Sequence, residues 1–189
     1  MSGDLARREL FERVATDVYE PLQRYLRRRA RVDDAADALA ETLLVVWRRL
    51  EEVPDDPLPW CYGVARRCLA NQRRSDTRRM RLVQRAASQH DVVVGRAVDP
   101  QQAIESGDPA LASAIELLTD AEAEVVRLWA FEQLEPRKIA VALDMTPNAV
   151  SVALTRAKRK LAEHLARQGR TDAGHIQGAG TDDRRGGRP

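Results

Sequence analysis

Eight arginines (Arg66, Arg67, Arg73, Arg74, Arg78, Arg79, Arg81 and Arg85) stand against one acid, Asp76, between residues 66 and 85. Such a stripe of guanidinium groups suits a nucleic-acid backbone. Trp60 and Tyr62 just before it could stack on an unpaired base. The opposite balance holds upstream, where residues 33–56 carry eight acids and two bases. A third pattern lies further on: Ile139, Ala140 and Leu143, then Asp144-Met145-Thr146, then Val150, Leu154, Ala157 and Leu161. This is the spacing of a helix-turn-helix, whose second helix reads base edges in the major groove.

Other chemistries find little support. The acids of the upstream cluster are intermixed with arginine and lack paired metal-ligand spacing, which argues against a nucleic-acid hydrolase. His90, His164 and His175 are scattered, and Cys61 and Cys68 form no C-x-x-C pair, so no metal site is expected. Seven residues apart on one helix, the two cysteines would sit about 10 Å from each other, too far for a disulfide. No enzyme activity and no cofactor are expected.

Helices must position these features. With 189 residues, 43% hydrophobic and 32% charged, the chain has material for one ordinary domain or two small ones, and no apolar run approaches a membrane span. The charged N-terminus lacks an apolar signal core, so a cytoplasmic location is expected. Phe11, Val14, Val18, Leu22 and Tyr25 recur at three and four, as do Ala36, Leu39, Leu43, Val46 and Leu50, and both stretches read as amphipathic helices. After Pro54, Pro57 and Pro59 a third helix is expected from about Trp60, with Cys61, Val64, Ala65 and Cys68 inward, ending near Arg85. Thr119-Asp-Ala-Glu122 is a capping box. Strand signals are absent. The expected fold is therefore all-α: two small helical domains, 5–85 and 110–166, joined by a flexible linker over 86–109, the second containing the helix-turn-helix. Residues 167–189 are expected to form a disordered tail.

Within the helix-turn-helix, Ala140 permits close helix approach, Met145 plugs the corner, and Thr146-Pro147 supplies an N-cap followed by proline at the first helical position. Asp144 stands where glycine is usual; aspartate tolerates a left-handed backbone better than most residues. At 100° per residue, the face opposite the inward stripe holds Asn148, Val152, Thr155 and Arg159, flanked by Ser151 and Arg156. These would meet bases, with Lys158, Arg159 and Lys160 in reach of phosphates. Opposite the inward stripe of the acidic helix lie Asp34, Asp37, Glu41, Val45 and Arg48; an apolar Val45 among outward acids suggests a surface for docking another protein.

From about Phe11 to Leu165 the chain resembles the bacterial sigma factors of the extracytoplasmic-function type, part of the sigma-70 family. Asp34-Ala-Ala-Asp-Ala-Leu-Ala-Glu-Thr42, followed by Val46-Trp-Arg-Arg-Leu50, is similar to the helix that docks on the clamp helices of RNA polymerase. Residues Trp60 to Arg74 are similar to the promoter-melting helix, and Leu128 to Leu161 to the domain that reads the upstream promoter element. The resemblance implies polymerase contacts at Asp34, Asp37, Glu41, Thr42, Val45 and Arg48. It implies −10 contacts at Arg66, Arg67, Asn71, Arg73, Arg74, Arg78 and Arg79, and −35 contacts at Arg137, Asn148, Ser151, Val152, Thr155, Arg156 and Arg159. Core RNA polymerase and promoter DNA are the implied partners, with an anti-sigma factor as a further one and no membrane insertion. The sequence departs from the family pattern at Ala36, Ala38 and Ala40 in the docking helix, at Arg67 in place of a common asparagine, at Lys138 in place of a frequent glutamate, and at Asp144. The competing expectation is a conventional helix-turn-helix repressor or activator that works without polymerase and whose N-terminal unit dimerises or binds a ligand.

Overall fold

The computed structural model describes residues 2–87 and 109–176, and among them every regular element is helical. α1 spans Ser2–Arg27, α2 Val32–Arg48 and α3 Pro57–Ala87, with a single 3-10 turn at Leu50–Glu52 between the last two. α4 (Pro109–Glu116), α5 (Asp120–Ala130), α6 (Pro136–Leu143) and α7 (Pro147–Ile176) form the second group. The expected linker, apart from its end residues, lies outside the described residues.

Two boundaries differ from expectation. α3 begins at Pro57 rather than near Trp60 and takes both Pro57 and Pro59 into its first turn, where a missing N–H has no intrahelical partner to lose. α7 continues to Ile176, so the first part of the expected tail is helix; residues 177–189 lie outside the described residues.

Local chemistry sets the other ends. Thr119 caps α5: its hydroxyl accepts from the Glu122 N–H at 3.3 Å, and the Glu122 carboxylate accepts from the Thr119 N–H at 2.9 Å. The same carboxylate takes Lys160 Nζ of α7 at 2.7 Å, so the cap also ties two helices. That hydrogen bond, and next the Thr119 N–H, hold the Glu122 pKa below the usual carboxylate range. A depressed carboxylate adds stability that is present above its unfolded pKa and is lost as pH falls through the folded one. Thr119→Ala should lower stability by about 1 kcal/mol in thermal melts at neutral pH. Glu122→Gln should flatten the loss of stability below about pH 4.5, and an unchanged acid limb would contradict this assignment.

Packing is continuous across both groups. Val18, Leu22, Tyr25 and Leu26 of α1, Ala38 and Val46 of α2, and Cys61 and Ala65 of α3 share one buried cluster with Val125, Leu128, Ile139, Val150 and Ala157. Cys61 and Cys68 are buried free thiols, and burial pushes the Cys61 thiol up to about 12. α3 crosses directly on α6. At the crossing a Cβ on Gly63 would lie 2.8 Å from the Ala142 carbonyl oxygen, so glycine is needed inside this helix despite its low propensity.

Ion pairs bridge the groups as well. Arg28 Nη2 lies 2.5 Å from Glu132 Oε2, Arg29 Nη1 3.3 Å from Glu132 Oε1, and Arg29 Nη2 3.4 Å from Glu124 Oε1. Tyr25 Oη donates to Glu124 Oε1 at 3.2 Å. Burial opposes the charge on Arg29, but Glu124, Tyr25 and Glu132 outweigh it and raise its pKa. Burial and then Glu124 push the Tyr25 phenol upward.

Candidate nucleic-acid interface

The turn between α6 and α7 forms as its residues require. Asp144 adopts φ 56° and ψ 48°, a left-handed conformation that aspartate tolerates better than most residues. The Met145 N–H donates to the Ala140 carbonyl at 3.0 Å, and its half-buried side chain packs against the core. Thr146 Oγ1 accepts from the Ala149 N–H at 3.2 Å, capping α7 ahead of Pro147. Val150, Leu154 and Ala157 are buried, which turns Asn148, Ser151, Val152, Thr155, Arg156 and Arg159 out to solvent on one side. Arg137, in the first turn of α6, is exposed too.

The outward face is already partly organised. Ser151 Oγ donates to the Pro147 carbonyl and Thr155 Oγ1 to the Ser151 carbonyl, each at 2.9 Å, leaving their oxygens able to accept. Arg159 lies 3.8 Å from Glu163, an exposed pair of little strength. Two of the cations expected to reach phosphates are engaged elsewhere: Lys160 holds Glu122, and Lys158 Nζ sits 3.6 Å above the Trp129 ring.

On α3, Arg66, Arg67, Asn71, Arg73, Arg74, Arg78 and Arg79 are all exposed, while Cys61, Val64, Ala65 and Cys68 face inward as expected. Arg73 also donates to the main-chain carbonyl of Arg29. The aromatic residues behave differently from a stacking platform. Tyr62 is 3% exposed, with its ring 4.9 Å from that of Tyr25. Trp60 is half-buried against the core with the Arg49 guanidinium 5.6 Å from its ring centroid. Tyr62 is therefore corrected to a core residue: it packs on Tyr25 of α1 within the buried cluster that both groups share.

The acidic helix α2 is rotated relative to expectation. Its buried residues are Ala35, Ala38, Leu39, Thr42 and Val46, and Ala36 is exposed. Asp34, Asp37, Glu41 and Arg48 stay on the exposed side. Thr42 does not: it is fully buried and donates to the Ala38 carbonyl at 2.6 Å, so it cannot meet a partner from this surface. Val45 is half-buried, and the exposed apolar residue beside the acids is Leu44, 45% exposed. Lys138, a departure from the family pattern, pairs with Asp56 of the first group at 2.9 Å. The contacts of Arg28 and Arg29 with Glu124 and Glu132 went unforeseen, since no local pattern links residues about a hundred positions apart.

Comparison with known proteins agrees with this geometry. Residues 109–161 match the sequence profile of sigma-70, region 4. No curated protein sequence matches the chain. Among solved structures, the fold is similar to that of the sigma factor RpoE in complex with the anti-sigma factor NepR from Bartonella quintana. The TM-score is 0.56 and the identity 17%, over 82% of this chain and 96% of that one. It is also similar to CnrH in complex with the cytosolic domain of CnrY, with a TM-score of 0.53 and 18% identity over 82% of this chain and 87% of the other. The chain thus carries a segment that matches sigma-70, region 4, within an all-helical fold similar to that of solved sigma factors.

Proposed function

We propose that this chain is a sigma factor of the extracytoplasmic-function type that binds core RNA polymerase and directs it to specific promoters, catalysing no reaction itself and acting in the cytoplasm. In this reading residues 5–85 form the domain that docks on polymerase and opens the promoter, and residues 110–166 form the domain that reads the −35 element. The observation that carries it is the exposed face of α7, where Asn148, Ser151, Val152, Thr155, Arg156 and Arg159 stand together inside the segment that matches region 4. Side chains of these types discriminate base edges in the major groove.

The arginine face of α3 would hold the −10 strand. Opening duplex costs about 1.4 kcal/mol per base-pair step, and contacts from Arg66, Arg67, Asn71, Arg74, Arg78 and Arg79 to an opened strand would offset much of the first steps. Asp34, Asp37, Glu41 and Arg48, with Leu44 and the half-buried Val45, would form the polymerase surface. RpoE was solved with an anti-sigma factor, and by that likeness an anti-sigma partner is proposed here as well. Among the described residues, no helix is long and apolar enough to cross a membrane.

Duplex binding by the free protein should be weak and steeply salt-dependent, because one small helix-turn-helix makes few base contacts. Footprinting of the protein alone and of its complex with core polymerase on the same promoter fragments tests this. Protection only with polymerase supports the sigma reading. A tight footprint by the protein alone on a palindrome would support a conventional repressor or activator instead.

A further inference from the structure

We propose that Arg73 is a positioning residue and not a nucleic-acid contact. It ties α3 to the turn that leads into α2, and so fixes the direction in which the arginine stripe leaves the core. The proposal rests on the promoter-opening role given above to α3.

The arginines of α3 do not lie on one face. At 100° per residue, Arg67, Asn71, Arg74, Arg78 and Arg81 fall within about 40° of a single line, at spacings of four and three, whereas Arg73 stands about 120° from it. A strand laid along that line meets the five without reaching Arg73. The Arg73 guanidinium is committed elsewhere, donating to the main-chain carbonyl of Arg29. That carbonyl belongs to the turn directly after α1, which ends at Arg27. At such an end carbonyls lack intrahelical donors, and the negative end of the helix dipole favours a cation. A guanidinium arriving from another helix meets both demands.

The contact sits where support for α3 stops. Cys61, Val64, Ala65, Cys68 and Leu69 are buried, whereas every residue from Arg73 to Arg81 is exposed. Arg81 stands eight residues, or about 12 Å, beyond the contact. A pivot of about 10° at Arg73 would carry Arg81 about 2 Å off its line, whereas binding constellations need to be held within about 0.5 Å.

The same turn runs into the docking helix. Val32, the first residue of α2, follows Arg29 by three, and Asp34 and Asp37 stand in the first two turns of that helix. One guanidinium therefore relates the surface proposed for polymerase to the stripe proposed for the promoter strand.

Three measurements on the full chain test the proposal through Arg73→Ala, Arg73→Lys and Arg74→Ala, with circular dichroism spectra alongside. In hydrogen exchange read by mass spectrometry, Arg73→Ala should speed exchange of peptides covering residues 28–35 about tenfold, as a lost charge-assisted hydrogen bond requires. Arg73→Lys keeps a cationic donor and should restore most of the protection. In binding to a fluorescent thymidine dodecamer, Arg74→Ala should reduce the slope of log K against log[salt] by about 0.7, and Arg73→Ala should leave it unchanged. With core polymerase, promoter opening read by permanganate should fall roughly tenfold in Arg73→Ala and recover in Arg73→Lys. Unchanged exchange in Arg73→Ala would overturn the proposal, and so would a loss of salt slope equal to that of Arg74→Ala, which would make Arg73 a phosphate contact. Faster exchange beside unchanged opening would also overturn it, because the contact would then support local structure alone, as would loss of helical content in Arg73→Ala. An unchanged slope in Arg74→Ala, or a wild-type chain that never opens a promoter, would sink the reading of α3 instead. The exchange experiment needs neither DNA nor polymerase and decides the tie to Arg29 in either case.

Discussion

Reversing charge at Asp37 and Glu41, as Asp37→Lys/Glu41→Lys, should abolish binding to core polymerase while helical content and melting temperature stay nearly unchanged. Asp34, Asp37 and Glu41 follow one another at three and four residues and are all exposed on α2, so they form one stripe. Neither Asp37 nor Glu41 packs in the core, which is built from Ala35, Ala38, Leu39, Thr42 and Val46 on the other side. Surface substitutions of this kind usually change stability by within about 0.5 kcal/mol. Like charges juxtaposed across an interface cost several kcal/mol, and each 1.4 kcal/mol is tenfold in affinity, so a loss of at least about 100-fold is expected. Leu44, one turn beyond Glu41 and 45% exposed, provides apolar surface for the same contact. A pull-down with core polymerase beside circular dichroism melts separates the outcomes. Unfolding would make the acids structural, and retained binding would put the docking face elsewhere.

The second large effect concerns the outward face of α7. Thr155→Ala or Arg156→Ala should lower promoter use by about 10- to 100-fold, corresponding to the roughly 1 to 3 kcal/mol carried by a lost base contact. Both residues are exposed. The only hydrogen bond that Thr155 Oγ1 donates locally runs to the Ser151 carbonyl within the same helix, so its removal leaves the core of Val150, Leu154 and Ala157 intact. Polymerase binding should therefore persist in both variants, measured by the same pull-down. Loss of polymerase binding with DNA affinity preserved would mean that α7 serves a different partner.

What the sequence made legible is what short-range chemistry decides. The Thr119–Glu122 capping box, the Thr146 cap and the left-handed Asp144 each depend on a handful of adjacent residues, and each is found where its residue types require. The inward stripe of α7 was readable because Val150, Leu154, Ala157 and Leu161 stand in clear phase among polar neighbours. α2 was harder. Ala35, Ala36, Ala38 and Ala40 crowd its first half, and alanine fits either face of a helix, so the inward stripe was set on Ala36 where Ala35 and Ala38 are buried; Thr42, a polymerase contact by the resemblance alone, lies inside.

The relation between the two helical groups was not legible at all. Tyr62 reads as an exposed aromatic from α3 alone and is buried against Tyr25 in the cluster that both groups share. Arg28 and Arg29 read as the charged end of an amphipathic helix, and their carboxylate partners lie about a hundred residues away, where periodicity carries no information. The tail was misread for a different reason. Its polar composition lacks a core face, but arginine, glutamine and alanine are all compatible with helix, and α7 runs on to Ile176.

Transcription from a genomic promoter library by core RNA polymerase, with and without the chain, tests the central claim most directly. The account predicts that polymerase alone starts at no specific sites and that adding the chain produces discrete start sites sharing paired upstream and downstream motifs. Those starts should fade with Thr155→Ala and vanish with Asp37→Lys/Glu41→Lys. Identical transcripts with and without the chain, beside tight binding of the free protein to a palindromic site, would contradict it.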